Sequence, residues 1–382
     1  MTGARDIQSL FSARAESGDF LNAGKVEDGT GLCLSGGGYR AMLYHVGALR
    51  RLNDMGLLPH LSEIASVSGG SITAAALALS WAKLKFDENG RAENFEAEVA
   101  QPIVTFARIG IDVRAVVMGL LPWRTAADGI AEAYDRHLFH GATLQDLPDR
   151  PRFTFMATNL QTGSGWRFSK NYAADYRVGR ILQPTFSLAL VVAASSAFPP
   201  FLSPARFSFD GHIVEAMPGA DLHCSPFTKG AVLTDGGVYD NLGLERVWKR
   251  CRTILVSNAG KTIPAIGRPT GRWVGQTYRT LSIVQQQAEN SRRRLLFGAA
   301  NAGQRRVAYW SIDTPISAYD CKEATFAQDI EVAEAAGIRT RLNRFTPREI
   351  ELLIKVGYAG ADASMRKQGF LPVFDAAYPK DN

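Results

Sequence analysis

Two strand–glycine turn–helix patterns, separated by a single predicted helix, constrain this chain more than any other feature. The apolar run Gly31-Leu32-Cys33-Leu34 meets Ser35-Gly36-Gly37-Gly38 and then Tyr39-Arg40. The segment Ser66-Val67-Ser68-Gly69-Gly70 repeats the arrangement downstream. The first turn supplies bare backbone N–H groups at a helix start, which suits an anion. The second puts a serine at the sharp strand-to-helix bend that exposes a hydroxyl nucleophile. An anion cradle beside an exposed serine is the minimum equipment for acyl transfer.

The surrounding pattern is strand 30–35, helix 39–55 closed by Gly56, strand 63–67 and helix 70–83. Such alternation predicts parallel strands with crossover helices. We therefore expect an α/β fold, a three-layer α/β/α sandwich about a mostly parallel central sheet, with ligands beyond the carboxyl ends of the strands. Residues 1–28 read as a lead-in, 29–260 as the core domain, and 261–382 as a mostly helical extension packed on it. A helical insertion occupies about 84–150, with helices near 94–108, 111–121 and 126–138. Its apolar stretch Val113 to Trp123 is read as core in preference to a membrane-facing cap. Further along come a strand at 153–158 and its hairpin, a helix at 184–197, and a strand at 231–234. A helix at 241–250, a strand at 252–257, a long helix at 276–296 and a strand at 306–312 follow. Thr346-Pro347-Arg348-Glu349 marks a helix start, with N-cap, N1 proline and capping-box glutamate.

Bulk composition excludes more than it selects. At 382 residues, 46% apolar and 21% charged, the chain is folded globular material. Its net charge of +6 is either a solubilising bias or a mild attraction to anionic surfaces. Cys33, Cys224, Cys251 and Cys321 have neither paired nor metal-like spacing, so free thiols in a reducing compartment are expected. No apolar signal segment opens the chain, and the apolar stretch Leu182 to Phe198 is interrupted by Gln183 and Pro184. The expected location is cytoplasmic, with any membrane contact peripheral. No metal, cofactor or nucleic-acid partner is expected. Arg292-Arg293-Arg294 and Arg305-Arg306 are read as a solvated face in preference to a lipid or acidic-partner site.

Ser68 is the preferred nucleophile, because Gly69-Gly70 permits the tight exit from its strand. Ser66 and Ser71 are read as turn or cap hydroxyls. The base is the harder question. A Ser-Asp-His order needs a histidine after the acid, but His45, His60, His137, His140, His212 and His223 all precede Asp235. Asp235 itself closes a strand and is followed by Gly236-Gly237, so it can share the rim of the sheet with Ser68 and take its proton directly. The competing reading of Asp235-Gly236 is a plain turn. Gly36, Gly37 and Gly38 suit an oxyanion hole, although a glycine triplet equally cradles a nucleotide phosphate. Arg40, just inside the helix, either holds a phosphate or faces solvent.

Taken together and in order, Ser-Gly-Gly-Gly-Tyr-Arg-Ala-Met (35–42), the Ser68 turn, Ala157-Thr158-Asn159-Leu160 with Thr162-Gly163, Ala194-Ser195-Ser196-Ala197-Phe198-Pro199, and Asp235-Gly236-Gly237 resemble the patatin-like phospholipases. The start of the set also resembles the cytosolic phospholipases of the same superfamily. Ser35 stands where the patatin type has Asp, and Ser66 where the turn usually has Gly. The resemblance implies a Ser68–Asp235 dyad, a Gly36–Gly38 oxyanion hole, Arg40 on the lipid phosphate, and hydrolysis of acyl esters of glycerophospholipids without a metal. The rival readings are the same dyad on neutral glycerides, lysolipids or short esters, and a non-catalytic lipid- or phosphate-binding protein. A third adds an unidentified partner or ligand that gates the enzyme.

Overall fold

The computed structural model describes residues 26–109, 111, 125–200, 202–321, 326–340 and 343–370. The expected helix at 111–121, almost all of the lead-in 1–28, and the last residues of the extension fall largely outside the described residues.

Five strands form the parallel part of one mixed sheet: β1 (Glu27–Leu34), β2 (Leu61–Val67), β3 (Arg152–Asn159), β10 (Cys251–Asn258) and β11 (Arg306–Ser311), in the order β11-β10-β1-β2-β3. Leu32, Cys33 and Leu34 are fully buried, as are Ile64, Ala65 and Ser66, because helices cover both faces of a parallel sheet. Beyond β3 the sheet turns antiparallel. There it continues through β4 (Gly165–Phe168), β5 (Tyr172–Asp175), β6 (Gly179–Leu182) and β8 (Val214–Glu215). A branch of β7 (Ala205–Ser208) and β9 (Gly230–Asp235) also joins β3 in antiparallel sense. β11 belongs to this same sheet, so the sheet crosses the division expected at residue 260.

Helix α1 (Gly38–Asp54) is buried from Tyr39 to Asn53. It lies against the sheet on one side and against the C-terminal helix α10 (Pro347–Lys367) on the other. The crossing is close. A Cβ on Gly47 would sit 1.9 Å from the Ile354 carbonyl oxygen, and one on Gly357 would sit 1.9 Å from that of Tyr44. Burial on both sides obliges the charged residues of α1 to find partners. Arg51 pairs with Asp362 of α10 at 2.7 Å, both side chains at 0% exposure. The expected cap of α10 is present, with Thr346 Oγ1 accepting from the Glu349 N–H and the Glu349 carboxylate from that of Thr346.

Helix α2 (Gly69–Ser80) follows β2. The insertion contributes a π-helical turn Glu96–Ala100 leading into α3 (Gln101–Ala107), then α4 (Ala126–Tyr134). Helix α5 (Leu188–Ser195) packs beside β3 and is shorter than the expected 184–197, because Ser187 is still bridged to Thr143 with a non-helical ψ of 128°. Short helices α6 (Gly237–Asp240) and α7 (Leu244–Trp248) replace the single helix expected at 241–250, since Gly243 breaks the run at φ 68°. Helix α8 (Trp273–Asn301) and helix α9 (Asp329–Gly337) complete the set used below. Among the described residues no helix is long and apolar enough to cross a membrane.

Candidate active site

The site forms where β2 and β9 meet head-on along β3. Val67, the last residue of β2, pairs with Met156, and Asp235, the last residue of β9, pairs with the next residue, Ala157. β2 runs parallel to β3 while β9 runs against it, so their carboxyl ends converge on one point of the ladder. Sequence reasoning placed Asp235 at the rim of a parallel sheet. The strand that delivers it is antiparallel, and the meeting of Ser68 and Asp235 follows from that reversal.

Ser68 leaves β2 with φ 51° and ψ −122°, a conformation strained for a residue with a side chain. Such a bend persists only if its surroundings hold it, and here Ser195 at the end of α5 does so. Its Oγ accepts the Ser68 N–H at 3.0 Å and donates to the Met156 carbonyl at 2.7 Å. Ser71 Oγ lies 2.9 Å from Ser195 Oγ and donates to Ser66 Oγ at 3.1 Å. Ser66 and Ser71 are thus internal links of a hydroxyl chain beneath the bend.

The Ser68 hydroxyl lies close enough to the Asp235 carboxyl to lower its pKa, and that carboxylate accepts the Gly237 N–H at 2.7 Å. Both residues are nearly buried. Burial pushes the Asp235 carboxyl up to about 7, and the Gly237 N–H and the Ser68 hydroxyl pull partly against that rise. The backbone around it is tied down as well. Its N–H donates to the Ala197 carbonyl at 2.9 Å, and its carbonyl accepts the Thr158 hydroxyl at 2.8 Å. A carboxyl poised near neutrality, beside a strained serine, is equipped to exchange a proton with it.

The glycine triplet divides into two parts. The Gly36 N–H donates to the Asn241 carbonyl at 3.1 Å and is therefore spent on the fold. Those of Gly37 and Gly38 have no acceptor among the described residues. Gly37 at φ 139° and Gly38 at φ 60° turn the chain in a way that residues with a Cβ resist. The expected three-donor cradle is thereby corrected to two.

Arg40 does not face a ligand, which corrects the phosphate contact expected of it. It is 5% exposed, and its guanidinium donates to three backbone carbonyls: Ala259 at 2.8 Å, Ile338 at 3.1 Å and Ala336 at 3.3 Å. Burial lowers its pKa to about 10, which leaves it cationic at neutral pH. The residue latches the end of α9 onto the glycine loop.

Several supporting residues escaped the sequence reading. His45 is fully buried, and its Nε2–H donates to the Ser35 carbonyl at 2.9 Å while Nδ1 accepts from Ser257 Oγ at 2.8 Å. Burial drives its pKa down to about 4, so it is a neutral strut of the loop. Ser35, the departure from Asp, uses its Oγ to accept the Ala259 N–H at 2.8 Å. From α8, Gln285 donates to the Gly237 carbonyl at 2.8 Å, and the Glu289 carboxylate accepts from both Asn241 and Asn258. Ser195 and Ser35 had legible signals, their places in the Ala194–Pro199 and 35–42 motifs. The others are recognised solely by what they touch.

This arrangement defines a class of protein. The patatin-like phospholipase family model matches residues 32–248, more than half of the chain, and the chain belongs to that family. A putative meiotic phospholipase of Saccharomyces cerevisiae, SPO1, is 38% identical over 65 residues, which are 17% of this chain and 10% of that protein. Human GIVD cytosolic phospholipase A2, solved with methyl gamma-linolenyl fluorophosphonate and terbium chloride, aligns with 96% of this chain and 63% of its own. The identity there is 14% and the TM-score 0.48. VipD from Legionella pneumophila aligns with 91% of this chain and 68% of its own, at 15% identity and a TM-score of 0.38. The chain therefore matches a tenth of the yeast protein and under two thirds of the human one.

Proposed function

We propose that the protein is a serine acyl hydrolase that cleaves fatty-acyl esters of glycerophospholipids. The observation that carries the reading is the strained Ser68 bend brought beside the buried Asp235 by strands that end on adjacent rungs of β3. In the first half-reaction Ser68 Oγ attacks the ester carbonyl carbon as Asp235 takes its proton. The Gly37 and Gly38 N–H groups receive the developing oxyanion, a role in which one donor is typically worth about 3–4 kcal/mol. Collapse breaks the ester C–O bond, and Asp235 returns the proton to the leaving alkoxide. In the second half Asp235 takes a proton from water, whose oxygen attacks the acyl-serine. Collapse then breaks the acyl–Oγ bond, Asp235 gives its proton to Ser68 Oγ, and the fatty acid leaves.

A second reading is favoured by Arg40. Because its guanidinium is committed to three backbone carbonyls, it leaves the phosphate of a headgroup without that partner. The same dyad acting on neutral glycerides or other uncharged esters needs no such contact. Comparing turnover of phosphatidylcholine vesicles with that of a triacylglycerol emulsion separates the two. For the chemistry itself, a fluorophosphonate probe is expected to label wild type on Ser68, and Ser68→Ala is expected to abolish both labelling and ester turnover. Wild-type turnover in purified Ser68→Ala or Asp235→Asn sinks the dyad.

A further inference from the structure

Helix α8 packs against the body from about Gln285 onward, and its first turns are largely exposed. Leu296, Arg292, Glu289 and Gln285 recur at intervals of three and four residues, the row that faces one side of a helix. Leu296 is buried, Arg292 lies 3.3 Å from Asp240, and Glu289 and Gln285 hold the site loops. Continued toward the N-terminus, the same row carries Leu281, Tyr278 and Val274. There it runs past the body, leaving Tyr278 at 50% and Val274 at 58% exposure. Trp273 at 77% and Val284 at 60% flank that row. Six of the eleven exposed large apolar side chains among the described residues fall within 266–284.

Two further observations say what covers this strip. Between residues 259 and 288 there is no Asp or Glu, while Lys261, Arg268, Arg272 and Arg279 all fall there. The strip is also continuous with the site mouth. The Tyr278 ring lies 6.4 Å from that of Phe198, the residue after Ala197, whose carbonyl holds the Asp235 N–H. An apolar strip with a tryptophan and a tyrosine, whose own segment carries cations and no acidic residue, matches the interface of an anionic bilayer. Aromatic rings settle at headgroup level there, and cations meet the negative surface. A protein partner of the usual mixed charge would leave those cations unmatched.

We propose that the projecting N-terminal part of α8, with Trp273, Val274 and Tyr278 inserted and Arg268 and Arg272 on the headgroups, docks the protein on an anionic lipid bilayer beside the site. This deepens the acyl-hydrolase reading, on which it rests for its purpose though not for its test. Apolar burial and charge act as two signals, so neither holds the protein on the surface alone. Docking there presents the site mouth to the bilayer.

The test uses the full chain carrying Ser68→Ala, so that binding is read without turnover. It is sedimented with vesicles of phosphatidylcholine alone and of an equimolar mixture with phosphatidylglycerol. Binding to the mixed vesicles, weak binding to the neutral ones and release by salt are expected. Adding Trp273→Ser with Tyr278→Ser, or Arg268→Gln with Arg272→Gln, is expected to cut partitioning about tenfold or more. In the wild-type background the same pairs are expected to leave the unfolding midpoint and the turnover of a water-soluble short ester unchanged. Equal partitioning of variants and parent overturns the proposal, as does wild-type indifference to both vesicles. A dimer in solution that Trp273→Ser converts to monomer also overturns it, assigning the strip to a second copy. Vesicle binding without short-ester turnover defeats the hydrolase reading and leaves the docking surface standing.

Discussion

The two halves of the sheet contribute to one site by different means. In the parallel half, β1 and β2 each run into a glycine turn and a helix, and every residue of the Gly36–Gly38 and Ser66–Gly70 turns is a sequence neighbour of the strand that presents it. In the antiparallel half, β9 reaches the site from far along the chain and against the direction of β3. Its aspartate matters only because it arrives one rung beyond the point where β2 stops. The difference teaches that the Ser68 turn is a local device, whereas its meeting with Asp235 is a product of topology. Ser195 joins the halves, with one bond to the Ser68 turn and one to β3.

Tests at four positions break or sharpen this contrast. The largest effect is expected at Asp235, where the antiparallel half buries an acid. A carboxyl raised from 3.8 to about 7 costs the fold about 4 kcal/mol once it is ionised. The unfolded chain loses this proton near pH 4 and the folded chain near 7, so the penalty grows between those values and is complete above 7. Thermal unfolding of Asp235→Asn is therefore expected to match wild type below pH 4 and to exceed it above 7. The kcat/KM of wild type is expected to rise with pH through about 7, as the base ionises. A profile flat from pH 5 to 8 removes Asp235 from that role.

Next comes Gly38→Ala in the parallel half. Its φ of 60° and the Thr340 carbonyl oxygen crowding the position of a Cβ force the loop to move. Loss of one oxyanion donor predicts a drop of about 10²–10³ in kcat, read in a short-ester assay. Turnover within twofold of wild type places the oxyanion hole elsewhere.

Between the halves, Ser195→Ala leaves the Ser68 N–H without its acceptor. A lost hydrogen bond to a buried donor predicts about 1–3 kcal/mol of destabilisation. Slower fluorophosphonate labelling is expected with it, as the bend relaxes. Unchanged labelling kinetics detach Ser195 from the nucleophile. The smallest effect is expected at Thr158→Val, which removes the hydroxyl that holds the Asp235 carbonyl, at about 0.5–1.5 kcal/mol in chemical denaturation.

How far the sequence carried depends on the range of each interaction. The turns at Gly36–Gly38 and Ser68, strands β1, β2, β10 and β11, and the Thr346 cap were legible because neighbouring residues produce them. The split of α6 and α7 at Gly243 was visible in principle and missed, since the apolar spacing continues across it. Arg40 was misread for a different reason. Its position after the glycines is local, but its carbonyl partners Ala336 and Ile338 lie 296 and 298 residues away. His45 and Asn241 acquire their roles in the same distant way.

By itself the sequence determined an α/β chain with a serine at one bend and backbone donors at another, because strand, glycine and helix signals act over a few residues. Membership of the patatin-like family was legible too, as an ordered set of such local signals. The tertiary structure alone decided which N–H groups stay unspent, where the Arg40 charge goes, and that an antiparallel strand carries Asp235 to Ser68. Each of those depends on which backbone groups the fold brings within hydrogen-bond reach, and on how much water it removes from between them.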